Sequence, residues 1–472
     1  MQFTVLSHAG LLVEHGGVRV VCDPWLIGSC YWRSWWNFPE PPEELLDDFH
    51  ADVVYLTHLH WDHFHGPSLR RFFAPDTPIL VPKVATRRMV DDLRFLGFRN
   101  VIEIPHGRAH RLGPDFHLHS YQFGIGVDSA AVLTAPGTTL FNCNDAKFFG
   151  LPLAEITRNH PRIDFIFRSH SSAGPIPWCV EDHARLLPEV VAQTDSAEQF
   201  ARCALHVGAR YAIPFASNHC FLHRETVEFN RTATTPEDVR RVYQRLAGEC
   251  AVQSECVVMP PGSGWSESAG FELRPFDFTA RADYIEMLLE RHAGKLDACY
   301  RAEAEVAADF PAFAAYFEAL LRSIPALLRR TLPAVVFRTR DRGGTHHWLV
   351  DPSRRRVATL GEPPTGCVVF EVHAAVLRDC VRERMFSVWS ASKRLRIHLP
   401  TAASLGAATR WLTLLDLYEL EMLPLARNFT ARALGVRLRR WREPLELSRL
   451  LVRRVFGGSP LALSALYPLK VG

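Results

Sequence analysis

Short apolar runs, each closed by Gly, Pro, Asn or Asp, dominate the first half of the chain. Phe3 to Leu6, Leu11 to Glu14 and Val18 to Cys22 read as strands, the last one buried because only Arg19 interrupts it. Ala51 to Leu56 and Thr77 to Val81 follow as strands, then a helix over Thr86 to Leu96 and a strand over Val101 to Ile104. That alternation predicts an α/β layer. Further strands are expected at Phe116 to Gln122, Ala130 to Thr134, Thr138 to Asn142, Ile163 to Phe167 and Ala209 to Ala216. Thr235 is a good N-cap, with Pro236 at the first helical position and Glu237 and Asp238 in the first turn, so a helix should run to about Gly248. After Cys256 to Met259, the Pro260-Pro261-Gly262-Ser263-Gly264 break places the end of a first domain at 268. Helical spacing over Ala280 to Leu328 makes 269–335 a helical connection. Strands at Trp348 to Asp351 and Gly366 to His373 give a small α+β unit over 336–472, ending in a helical tail.

The 472 residues are too many for one ordinary domain, and a formal charge of +3 gives no general case for a nucleic-acid partner. No run of about 18 apolar residues occurs, so no transmembrane segment is expected. The N-terminus enters a strand at once, without the charged and apolar regions of a signal peptide, which predicts a cytoplasmic protein. Eleven scattered cysteines with no C-x-x-C pair do not read as a disulfide framework. The tail is basic at Arg437-Leu438-Arg439-Arg440-Trp441-Arg442 and at Arg453-Arg454. A solvated charged face is the plain reading of these clusters, and peripheral contact with an anionic partner or membrane surface is the other.

Chemistry concentrates early, with 17 of 22 histidines at or before His223. Thr57-His58-Leu59-His60-Trp61-Asp62-His63 packs four metal-ligand side chains directly after a strand. Imidazole and carboxylate together suit zinc, iron or manganese. Asp23 closes a buried strand and so needs an ionic or hydrogen-bonding task, and Asp145 closes another. Rigid aromatics between Trp25 and Phe38, Trp32 and Trp36 among them, are candidates for a packed loop core or for a wall of the substrate pocket. His170, Ser171 and Asn218 follow strand ends and are further pocket candidates.

The H-x-H-x-D-H pattern of His58, His60, Asp62 and His63 resembles the signature of the metallo-β-lactamase superfamily. That likeness implies an αββα four-layer sandwich, with Asp23 bracing the metal loop and Asp145 bridging two ions. Trp36-Asn37-Phe38-Pro39, Asp128-Ser129, Asn144-Asp145, Ser172-Ala173-Gly174 and Pro214-Phe215-Ala216 make the region 1 to 265 most similar to the CMP-N-acetylneuraminate hydroxylase branch. Its spacing favours His223 over His219 as the final ligand. The branch's third-motif His has no clean counterpart: Gly124 falls there in an ungapped reading, and His119 or Gln122 would serve after a small shift. Met385 to His398, with Ser392 and Lys393-Arg394-Leu395-Arg396, resembles a sterol-carrier-type lipid-binding domain.

These resemblances imply two transition-metal ions held by His58, His60, Asp62, His63, Asp145 and His223, iron favoured and zinc the alternative. The implied activity is that of a diiron oxygenase, with Asp62 and Asp145 as its catalytic carboxylates, acting on a small molecule that is apolar or carrier-borne. The hydroxylase branch carries a Rieske cluster, and this sequence has no pair of C-x-H and C-x-x-H segments to hold one, so electrons would come from an external electron-transfer protein. A zinc hydrolase is the competing class, and a lipid carrier with a structural metal the third.

Overall fold

The computed structural model describes residues 1–124, 128–192, 195–250, 252–457 and 466–469, with the side chains of 451–457 left out. Two sheets face one another. The first has eight strands, running through Gln2–Val5, Leu11–His15, Val18–Cys22, Val53–Tyr55, Ile79–Pro82 and Val101–Ile104, with a hairpin at the Gln2–Val5 edge. The second has seven, antiparallel from Arg108–Arg111 to Thr138–Asn144 and then parallel through Phe165–Ser169, Tyr211–Phe215 and Glu255–Cys256.

Strand parity explains the uninterrupted apolar runs. Val20 and Cys22 enter the layer between the sheets with Phe3, Leu118, Phe165 and Ile213, while Val21 turns outward onto Leu69, Val90 and Leu93 of two helices. Helices Gly150–Asn159, Ser196–Val207 and Pro236–Glu249 cover the other sheet through Leu153, Phe200 and Tyr243. The expected αββα sandwich is therefore present. The strands that run parallel open at one common edge, where Asp23, Thr57 to His63, Asp145, His170 and His219 follow their ends.

The expected boundary at 268 falls inside the hairpin Gly264–Ser266/Gly270–Glu272, so the first sheet continues to Glu272. Two helices, Arg281–Ala304 and Phe310–Ser323, then lead into a five-stranded sheet of Val335–Asp341, Gly344–Asp351, Arg356–Leu360, Val368–His373 and Arg396–His398. Its core is aromatic (Phe313, Phe317, Phe337, Phe370, Trp389, Trp411) and continuous with Trp25, Tyr31 and Trp35 of the first unit.

The tail belongs spatially to the first unit. Arg432 pairs with Glu103, Glu443 accepts from the Gly124 N–H at 2.9 Å, and Glu446 accepts from the Leu151 N–H at 3.3 Å. Tyr467 donates to the Phe148 carbonyl at 3.0 Å and accepts from the buried Arg168 guanidinium at 3.3 Å. Leu434, Leu438 and Trp441 stay exposed on the outer side. The side chains of Arg453 and Arg454 lie outside the described residues. No helix among the described residues is long and apolar enough to cross a membrane.

Candidate metal centre

Asp23 fixes the motif loop. Its Oδ1 accepts the Thr57 N–H at 2.8 Å, and its Oδ2 accepts the Thr57 hydroxyl at 2.7 Å and lies 2.8 Å from His63 Nδ1. An Nδ1 proton held this way leaves His63 Nε2 as the free face, 3.4 Å from both Asp62 Oδ2 and Asp145 Oδ2, buried and without a hydrogen-bond partner. On one side His58 Nε2 and His60 Nδ1 face each other at 2.8 Å and form a compact group with Asp145. On the other, His8 Nε2 approaches Asp62 Oδ2 to 3.0 Å, and His8, Asp62 and His63 form a second such group. Although close, His8 Nε2 is not aligned for a hydrogen bond to that carboxylate. Tyr31 O–H occupies Asp62 Oδ1.

Without an ion, His63 supplies the positive charge. Burial lowers its pKa, but Asp62, Asp23 and Asp145 outweigh burial and raise the imidazole well above its usual value, and a metal ion bound there would take the place of its Nε2 proton. Burial pushes the His58 imidazole down to about 4, with His63 acting the same way, so it presents a neutral lone pair. Burial opposes ionisation of Asp62, but His63 and His8 overcome it and hold its carboxyl well below the usual range. For Asp145 burial likewise loses, chiefly to His63. Two ionised carboxylates and several orphaned imidazole nitrogens around one point fit transition-metal ions.

The family described as a beta-lactamase superfamily domain matches residues 2–166, across the first sheet, the whole motif loop and Asp145. A putative Rieske 2Fe-2S iron-sulfur protein of Mycolicibacterium smegmatis is 30% identical over 253 residues, 51% of this chain and 48% of that one. The cytidine monophosphate-N-acetylneuraminic acid hydroxylase of Mus musculus is 38% identical over 153 residues, 31% of this chain and 26% of that one. The chain thus spans about half the length of the first curated relatives it matches. The solved metallo hydrolase Igni18 of Ignicoccus hospitalis aligns at TM-score 0.39 and 17% identity, over 58% of this chain and 99% of that one.

Around the motif loop the remaining candidates separate. His219 stacks on Trp35 (3.6 Å between centroids) and meets His8 edge-on at 5.3 Å, and its Nδ1 is buried without a partner. His223 goes elsewhere: its Nε2 lies 3.4 Å from Glu303, beside Cys299 and the helix Arg281–Ala304. His219 rather than His223 therefore reaches the Asp62 side. His119 points to the outer face of its strand, against His160 at 4.7 Å, whereas Gln122 is on the inner face with its Oε1 buried and unpartnered. Trp36 turns away to stack on His292, and strand parity puts Trp35 at the site instead. Trp32 sits 5.0 Å from Trp61 and donates to Asp379 of the C-terminal unit. His170 is buried with both ring nitrogens free, Asn218 is buried with a free Oδ1, and Ser171 is half-buried.

Two residues enter that sequence reasoning did not place at the metal. His8 lies in the Ser7–Gly10 turn, where a lone histidine carries no pattern signal. Asp128 is half-buried, within the electrostatic reach of His60 and Asp145. Burial pushes its carboxyl up to about 6, against the pull of His60 and with Asp145 adding to the rise.

Proposed function

We propose that this protein is a dinuclear metal enzyme, an iron-dependent oxygenase of a small molecule. One observation carries the dinuclear reading: the unpartnered His63 Nε2 stands equidistant, at 3.4 Å, from Asp62 and Asp145, which belong to two different ligand groups. His58, His60 and Asp145 would hold one ion, with Asp128 beside them, and Asp62, His63 and either His8 or His219 the other. Iron bound there supplies O₂ activation, whereas zinc in the same donors supplies a hydroxide near neutral pH. Asp23 keeps the His63 proton on Nδ1. Tyr31 binds Asp62 Oδ1 and leaves Oδ2 for the centre. Trp35, packed on His219, and Trp61, stacked on Tyr31, wall the site against water. His170 and Asn218 offer free polar atoms to a substrate.

Iron is preferred to zinc because curated relatives are named as hydroxylases. Relatives named as Rieske proteins support an external iron–sulfur electron donor. Eleven unpaired cysteines support a reducing, cytoplasmic setting. The ring-packed core around Phe386 and Trp389 makes a sterol-carrier role for the C-terminal unit the weaker reading. The test loads the protein anaerobically with iron(II) or zinc, then follows O₂ uptake on adding a reductant and hydrolysis of an ester and phosphoester panel without O₂. Reductant-dependent O₂ uptake by the iron form alone is expected. Anaerobic multiple turnover by the zinc form overturns the oxygenase reading.

A further inference from the structure

A cavity of about 490 Å³ opens at the seam between the two units, and none of its lining residues belongs to the two ligand groups described above. One wall is the polar face of the C-terminal sheet. Period-two alternation puts Phe337, Phe370 and Ile397 into the aromatic core and turns Arg338, Arg340, Glu371, His373 and Arg396 the other way. The opposite wall is Arg224 and Glu225 with Glu303 of the long helix, and Arg394 joins the two.

The charges are unevenly paired, because Arg394 takes two carboxylates while Arg342 and Arg396 pair outside the lining with Glu305 and Glu228. Six arginines line the cavity against four carboxylates. Each carboxylate is already engaged: Glu303 and Glu225 by Arg394 (Nη2 at 3.0 Å and Nε at 2.9 Å), Glu371 by Arg338 at 3.1 Å, and Asp341 by His346 at 3.0 Å. Arg340 is exposed and has no ion-pair partner among the described residues. Arg224 lies over the Tyr300 ring at 4.4 Å and likewise has none. Two guanidinium groups with free N–H forks thus face one volume large enough for a small organic ligand. Phe, Tyr and Trp are missing from the lining, so the pocket suits a polar ligand and gives an aromatic base no stacking surface.

We infer that this seam cavity binds the phosphate group of a small polar phosphorylated molecule, through Arg224 and Arg340. Guanidinium forks match the oxygens of a phosphate, and a compact multiply charged anion offsets two like charges better than one carboxylate does. The site stands apart from the metal chemistry and survives if the oxygenase reading fails.

The test titrates inorganic phosphate into the full-length protein at constant ionic strength, by calorimetry, with citrate as the carboxylate control. Saturable binding of one phosphate per chain is expected, at least tenfold weaker in the Arg224→Gln/Arg340→Gln variant and unchanged in His58→Ala. Arg340→Gln alone, an exposed change, should show a smaller loss in the same direction and serves if the double variant does not fold. Absence of saturable binding, equal affinity in the arginine variants, loss of binding in His58→Ala, or citrate binding as tightly as phosphate would each overturn the assignment.

Discussion

His63 Nδ1 lies 2.8 Å from Asp23 Oδ2, and this contact decides that the Nε2 face of the imidazole is the one left toward Asp62 and Asp145. Asp23 also receives both donors of Thr57, so one carboxylate holds the ring tautomer and the loop that carries His58 and His60. An amide at this position cannot accept at both oxygens. Asp23→Asn should weaken metal binding by about 10–100-fold while all the proposed ligands remain in place. Competition against a chelator measures it, and an unchanged affinity would show that the brace is dispensable.

His219→Ala and His223→Ala should part company. The first removes a ring beside His8 and should lower metal stoichiometry. The second leaves Glu303 and Arg394 beside an unfilled space and should lower the melting temperature with the metal content intact. Metal analysis and a melting curve on each variant suffice; the reverse pattern sinks the placement of the final ligand.

Asp145→Ala should abolish turnover and lower metal content. His170→Ala should keep the metal and lose only substrate hydrogen bonding, worth about 0.5–1.5 kcal/mol. Equal loss of metal in both would put His170 among the ligands.

His160 adds an acid-sensitive element away from the centre. Burial, with His119 adding to it, pushes its imidazole down to about 4, below its ordinary 6.5. The unfolded chain therefore binds the extra proton first, and stability falls as pH drops from 6.5 toward 4. His160→Gln should flatten that part of the melting-temperature profile; a profile identical to the parent's would remove His160 as the cause.

Much of this was legible in the sequence. Val18 to Cys22 and Ala51 to Leu56 announce buried strands because both of their faces are covered, and histidines and carboxylates placed just past strand ends announce where the candidate ligand groups gather. Three things were not. Trp35 and Trp36 are adjacent and chemically alike, and only pairing with His219–Phe221 decides which one faces the site. His219 and His223 are separated by one short strand, and the turn after it, not composition, carries His223 away to Glu303. His8 is brought to Asp62 by sheet pairing across the whole first unit. Contacts of that kind depend on tertiary closure, which no local pattern encodes.

Arg168 is paired in register with Asn144, whose side chain accepts from the Asp145 N–H, and the hydroxyl of Tyr467 reaches that guanidinium from the other end of the chain. A hydrogen bond to a buried charged group contributes about 1.5–3 kcal/mol. Ribosomal synthesis makes Asp145 more than three hundred residues before Tyr467. Until Tyr467 has been made, the Arg168 guanidinium in the strand behind Asp145 lacks that hydroxyl partner. The support behind Asp145 is therefore complete only once Tyr467 is in place, and replacing that one tyrosine would be felt at a carboxylate it does not touch.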